Sequence, residues 1–207
     1  MTNKIKVTRK TTESAIAVEI EKGALRADYR KLIKTPLPFL NHMIEHIAWR
    51  AALNIKIETE LDEFELAHLV CEDVGMTLGR AVGEYVKRCD VPGYGFAVGI
   101  IDEAKAEAAI SFEDRSLFTF ESKIDYPENV EGMPSEELLT FLDGFAQGAR
   151  CTLSVDLVRG ENGHHIWEAV YRAVGIALGQ ALTFDPERSG LTSGVAGKVV
   201  YEVEVGE

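Results

Sequence analysis

Long apolar runs are missing from these 207 residues. No stretch approaches the roughly 20 consecutive apolar residues that a membrane helix needs. The opening stretch, MTNKIKVTRKTTESAIAVEIEKG, carries charge throughout and lacks the apolar segment of a secretion signal. Cysteine is scarce and odd in number: Cys71, Cys89 and Cys151 are all there is. That excludes a disulfide scaffold and suits reduced thiols in a cytoplasm. Cys71, beside Glu72, reads as a small buried helix residue rather than a ligand. Positive charge is short too. Lys and Arg number 22 against 34 Asp and Glu, a formal net charge of −12, with no basic run. Such a chain repels phosphate backbones and anionic membrane surfaces, so no nucleic acid and no membrane is expected as a partner. Histidine is limited to five residues, and where they fall matters.

What is present is a core: 46% of the residues are hydrophobic. Alternation predicts strands over IKVTRKT, AIAVEIE and LRADYRKLI, and again over NIKIETE. Helical spacing predicts FLNHMIEHIAWRAAL, with Phe39, Met43, Ile47 and Ala51 on one stripe, and the long ELAHLVCEDVGMTLGRAVGEYVKRC. After Val91-Pro92-Gly93 the order restarts. GFAVGIID, EAKAEAAISF and SLFTFES read as strands and Pro127 to Gly132 as loop. SEELLTFLDGFAQGA reads as a helix capped by Ser135, CTLSVDLV as a strand and HHIWEAVYRAVGIALGQAL as the closing helix. KVVYEVEV reads as a last strand. The two long helices align at an offset of 96, with Gly79 on Gly175 and Gly83 on Gly179. Small residues at that spacing predict close packing against a neighbour. The expected fold is α+β: two duplicated halves, residues 1–90 and 91–207, together one domain. Each half is a sheet covered by two helices on one face.

The same offset of 96 relates His68 to His164 and Glu72 to Glu168. Residues four apart share a helix face, so each pair can grip one ion. Imidazole with carboxylate suits manganese, iron or zinc. His165 points about 100° away from His164, toward a second ion shared with another helix or subunit. His42 and His46 are also four apart. All five histidines thus lie in three clusters at helix starts.

RKTTESAIAVEI, PFLNHMIEHIA, HLVCEDVGMTLGRA, GENGHHIWEAVYRA and DPERSG together resemble the imidazole-glycerol-phosphate dehydratases, the lyases of histidine biosynthesis. The third and fourth segments correspond to the H-H-x-x-E-D-x-x-x-x-x-G and G-x-N-x-H-H-x-x-E-A-x-F-K-A patterns. The resemblance implies two βαββα-type halves (ribosomal protein S5 domain 2-like). It also implies two Mn2+ per site between subunits, and trimers assembled into a cubic shell. One ion would take His68 and Glu72 with His165 of the partner subunit. The other would take His42, with His164 and Glu168 from across the interface. His42, Glu72 and Glu168 would serve catalysis with Glu13, which would be the base removing a proton from carbon. Arg115, Arg172, Ser193 and Lys198 would hold the phosphate of a small-molecule substrate.

The chain departs from that pattern. Leu69 stands where the family has a second helix histidine, Ser154 where its T-L-H strand has one, Asn41 for its D-H-M aspartate and Arg50 for a further histidine. No arginine lies between Arg88 and Arg115. His46 is an addition that can replace a missing ligand. The expected activity is a metal-dependent dehydration. The alternatives are a paralogue acting on another small phosphorylated or azole substrate, or a non-catalytic, metal-bound shell protein.

Overall fold

The computed structural model describes residues 4–63 and 65–206. The chain opens with β1 (Lys4–Lys10), β2 (Ser14–Lys22), a short α1 (Tyr29–Leu32), α2 (Pro38–Ala51), β3 (Leu53–Leu61) and α3 (Ala67–Val86). It continues with β4 (Tyr94–Ile101), β5 (Ala104–Ser111) and β6 (Leu117–Ser122). A small hairpin of β7 (Asn129–Val130) and β8 (Met133–Pro134) leads into α4 (Ser135–Ala149), β9 (Thr152–Arg159) and α5 (Gly163–Ala181). The element order therefore repeats, with the break between α3 and β4.

Alternation does what it promised. Ile16, Val18 and Ile20 are fully buried and face the helices; Val18 sits opposite Val7 on one side and Ile57 on the other. The first sheet runs β1-β2-β3, all antiparallel; the second runs β4-β5-β9-β6, with β6 parallel to β9. Helices α2 and α3 lie on the first sheet and α4 and α5 on the second. This is the expected α+β arrangement, a covered sheet in each half.

The closest helix pairs, however, cross between halves: α3 lies along α4 and α2 along α5. The glycine ladder explains the closeness. A Cβ on Gly79 would lie 2.1 Å from the Phe145 carbonyl oxygen, and one on Gly148 would lie 2.0 Å from that of Met76. Gly175 faces the backbone of Ile47, and Gly179 that of Ala51. At Gly79 and Gly148 the backbones approach too closely for any side chain, and at Gly175 and Gly179 a Cβ would be tightly crowded.

Four local expectations are corrected. LRADYRKLI is not a strand. Tyr29–Leu32 forms a helical turn, and only Ile33 bridges, in parallel, to Ile57. The second half realises the same pairing as a full strand, β6 on β9. The loop after Pro127 contains the β7–β8 hairpin. Ser135 is the first helical residue, not the cap. Its hydroxyl donates to the Pro127 carbonyl and accepts from the Trp167 indole. KVVYEVEV carries no strand; among the described residues it pairs with no sheet. Among the described residues no helix is long and apolar enough to cross a membrane.

Candidate metal centre

Helix α5 begins at an Asn162 cap, whose side-chain oxygen accepts from the backbone of His164 and His165. From there the 3.6-residue turn sets His164, Glu168 and Arg172 on one face, four residues apart. Helix α2 packs along that face and contributes His42 and His46. Three imidazoles converge on one carboxylate oxygen. His42 Nε2 lies 3.0 Å, His46 Nε2 3.1 Å and His164 Nε2 3.2 Å from Glu168 Oε1. The other oxygen, Oε2, accepts from Arg172 at 2.7 Å.

Glu168 is buried, at 6% exposure. Burial works against its ionised form. The facing His46 and His42 and the Arg172 guanidinium outweigh that, and the carboxyl is held below the ordinary range. Burial pushes His46 down to about 4, although Glu168 pulls the other way. Its Nε2 is buried and makes no well-aligned hydrogen bond. A neutral imidazole aimed at a carboxylate without bonding to it is a group available to a ligand. Ligand atoms of His42, His164 and Glu168 lie within 4.8 Å of one another. This donor set fits a divalent transition ion.

The structure corrects one expectation here. His42 meets His164 and Glu168 within a single chain, not across an interface, because α2 and α5 pack together. Arg172, expected on a phosphate, is occupied by Glu168 and by the Ile100 carbonyl at 3.0 Å. Asn41 turns away from the histidines and clamps the backbone of Thr35.

The remaining residues fall into separate groups. His165 points away from His164, the two rings standing at 88°. Its Nδ1 lies 2.9 Å from Glu103, and its Nε2 faces Asp102 at 3.7 Å. Ligand atoms of Asp102, Glu103 and His165 also lie within 4.8 Å of one another. Glu103 accepts from the backbone N–H groups of Asn162 and Glu161. Those bonds, with His165, hold its carboxyl down at about 2. The hydrogen bond to Glu103 in turn raises His165.

At the start of α3, His68 is exposed and turns to Glu137 on α4, 3.1 Å away. Glu72 has no side-chain partner among the described residues. Glu13 sits exposed in the β1–β2 turn. That turn is tied to α3 by Arg9 and Ser14, both on buried Asp73, one residue from Glu72. His68, Glu72 and His165 do not converge within one chain.

Ser193 and Lys198 line a cavity of about 670 Å³ with Arg88, Cys89, Glu113 and Arg150. It lies at the C-terminal end of α3, whereas the histidines cluster at the opposite ends of α3 and α5. Twenty helical residues span about 30 Å. The Ser193 hydroxyl is occupied by the Phe112 carbonyl. Arg115 is exposed on the β5–β6 connection and does not reach the histidines. Cys71 and Cys151 are buried free thiols; burial pushes Cys151 to about 12 and Cys71 well above its ordinary value.

The imidazoleglycerol-phosphate dehydratase family model matches residues 35–178. The imidazoleglycerol-phosphate dehydratase of Hahella chejuensis is 32% identical over 196 residues, 94% of this chain and 97% of that protein. That of an Azoarcus species is 34% identical over 187 residues, 89% of this chain and 93% of that protein. Among solved structures, the Staphylococcus aureus imidazoleglycerol-phosphate dehydratase superposes with a TM-score of 0.76 at 28% identity, over 88% of this chain and 99% of that one. The Pyrococcus furiosus enzyme gives 0.72 at 30%, over 87% and 95%. The fold, the helix-borne histidines and this near full-length likeness lead to one conclusion: the chain belongs to the imidazoleglycerol-phosphate dehydratase family, a family of hydro-lyases.

Proposed function

We propose that this protein is a metal-dependent hydro-lyase of the cytoplasm that dehydrates imidazole glycerol phosphate in histidine biosynthesis. The observation that carries the reading is the convergence of His42, His46 and His164 on Glu168. His42, His164 and Glu168 would hold one Mn2+, with His46 in place of a ligand this chain lacks. His68, Glu72 and His165 would hold a second ion once copies of the chain assemble. Bound there, such ions stabilise negative charge developing on an imidazole ring.

The residues of the chain supply the rest. Arg172 holds Glu168 by one oxygen and leaves the other toward the histidines. Glu103 fixes the ring of His165 through Nδ1, which keeps Nε2 outward. Glu13 is the proposed base. It takes the proton from the second carbon from the ring while hydroxide leaves the carbon beside the ring, and that proton departs with the hydroxide as water. The resulting enol rearranges to the ketone.

A phosphate on Ser193, Lys198 and Arg115 cannot reach histidines at the other end of the same helices. The site is therefore completed between copies, which supports the expected trimers and larger shell. The exposed row of Tyr94, Phe96, Val98 and Ile100 on β4 is apolar surface suited to such an assembly. The repeated element order supports duplication of one ancestral half.

The test is turnover of imidazole glycerol phosphate by chelator-stripped and Mn2+-loaded protein. The expected result is ketone formation only with metal. Metal bound without turnover would remove the reading. A specific observation favours one second reading, a related azole or hydroxy-phosphate substrate: Arg172 is not free to meet a phosphate. The same assay with such compounds separates the two.

A further inference from the structure

The segment after Lys198 plays no part in the chemistry above. Val200, Tyr201, Val203 and Val205 are between 67% and 89% exposed. They belong to a stretch, Val199–Val205, that carries neither helix nor strand. Its sequence nevertheless has the period of a strand. Tyr201, Val203 and Val205 fall on one side, Glu202 and Glu204 on the other. So much exposed apolar surface on an acidic ribbon is a segment awaiting a surface.

The two sheets offer four edges. On β4 the Phe96 N–H is taken by Gln180 and the Ile100 carbonyl by Arg172, both from α5. On β3, Ile57 is bridged by Ile33. β6 bears Glu121 and no cation, so it repels an acidic strand. β1 differs from all three. It pairs with β2 along one side, and among the described residues no backbone hydrogen bond reaches its other side.

Its side chains complement the tail in both phase and charge. Ile5, Val7 and Arg9 are half-buried toward the helices, while Lys4, Lys6, Thr8 and Lys10 are exposed on the outer face. Lys4 is shared with Glu19 at 2.8 Å; Lys6 and Lys10 have no ion pair among the described residues. An added strand in the matching phase extends the Ile5–Val7 row with Tyr201, Val203 and Val205. The same phase sets Glu202 and Glu204 beside the lysines. The period of two makes both matches come together or not at all. Edge lysines also reject a second β1, since lysine would meet lysine.

We infer that the tail Val199–Val205 adds as a fourth strand to the free β1 edge of a second copy of this chain. Among the described residues no backbone hydrogen bond joins the tail to its own β1, which leaves each tail and each edge to be satisfied by a neighbour. This inference does not rest on the catalytic reading, and its test reads no activity.

Full-length chains with natural isotopes and 15N-labelled chains are unfolded together, refolded as one mixture and treated with a carbodiimide, which joins carboxylates to amines in ion pairs. The products are then digested for mass spectrometry. Mixed-isotope peptides joining Glu202 or Glu204 to Lys4, Lys6 or Lys10 are expected. Only same-isotope joins would mean the tail folds onto its own chain, and no joins would mean an idle tail; either overturns the inference. Lys6→Glu with Lys10→Glu removes two of the three reactive amines and sets like charges opposite the tail, so the yield should fall by about tenfold. Adding Glu202→Lys and Glu204→Lys should restore it. A loss that the double swap fails to rescue also overturns the inference.

Discussion

Glu168 is held from both ends, by His42 and His164 on one oxygen, with His46 facing that same oxygen, and by a guanidinium on the other. Glu168→Gln keeps the size and removes the charge. Arg172 would then be left unpaired in a largely buried position. Mn2+ affinity, measured by titration calorimetry, should fall at least tenfold to a hundredfold, with the circular dichroism spectrum unchanged. His46→Ala should lower Mn2+ affinity too, on the order of tenfold; an unchanged titration would remove His46 from the proposed ligand set. Glu103 makes a prediction about pH. Its folded pKa is depressed, so its contribution to stability is present above the ordinary carboxylate range. That contribution is lost as pH falls through that range toward about 2. His165 has the opposite sign: its raised value stabilises at low pH and is lost as pH rises through it. Protection factors at Glu161–His165, taken relative to intrinsic exchange at each pH, should therefore fall as the medium is acidified, and Glu103→Gln should abolish most of that fall.

At the scale of elements, the glycine ladder sets the strongest expectation. Gly79→Ala would push a methyl group into the Phe145 carbonyl, a backbone atom that cannot step aside. The overpacking cost is about 1–3 kcal/mol, or a fall in Tm of roughly 3–10 °C for a chain of this size. A thermal melt beside exposed Arg80→Ala, expected to differ little from the parent, reads it directly. This ladder was legible in the sequence as four-residue glycine spacing at a shared offset. So were the strands, whose alternation is intrinsic to a half-buried sheet, and the approach of His164 to Glu168, which one helix dictates. Partnerships between helices were not legible. Nothing local says that α2 rather than α3 lies along α5, so the meeting of His42 with His164 and Glu168 inside one chain was not legible. The same gap hid the grip of Arg172 on Glu168 and of Glu103 on His165. Glu137 did leave a signal. It shares a stripe with Phe141 and Phe145, and a carboxylate on an apolar stripe asks for a partner, which proves to be His68. LRADYRKLI misled because its alternation is realised only at Ile33, with a helical turn before it.

For the whole molecule, the apolar row on β4 is the feature that a lone chain does not explain. Phe96→Glu together with Val98→Glu adds charge to that face without touching the core. Light scattering should show the assembly reduced to smaller species, with Mn2+ retained at the single-chain cluster of His42, His46, His164 and Glu168. Turnover should fall with assembly, since the phosphate-side residues and the histidines of one chain lie at opposite ends of α3.

The pairing of α3 with α4 bears on synthesis. Helix α3 is complete at Val86, but the surface it presses against ends at Ala149. A ribosome must add another 63 residues before that face can be covered. During that interval Gly75, Gly79 and their apolar neighbours have nothing to rest on, and closure must bridge distant parts of the chain. A nascent polypeptide stalled before α4 emerges should be cut readily by protease and bound by chaperones. One released after Ala149 should begin to resist both.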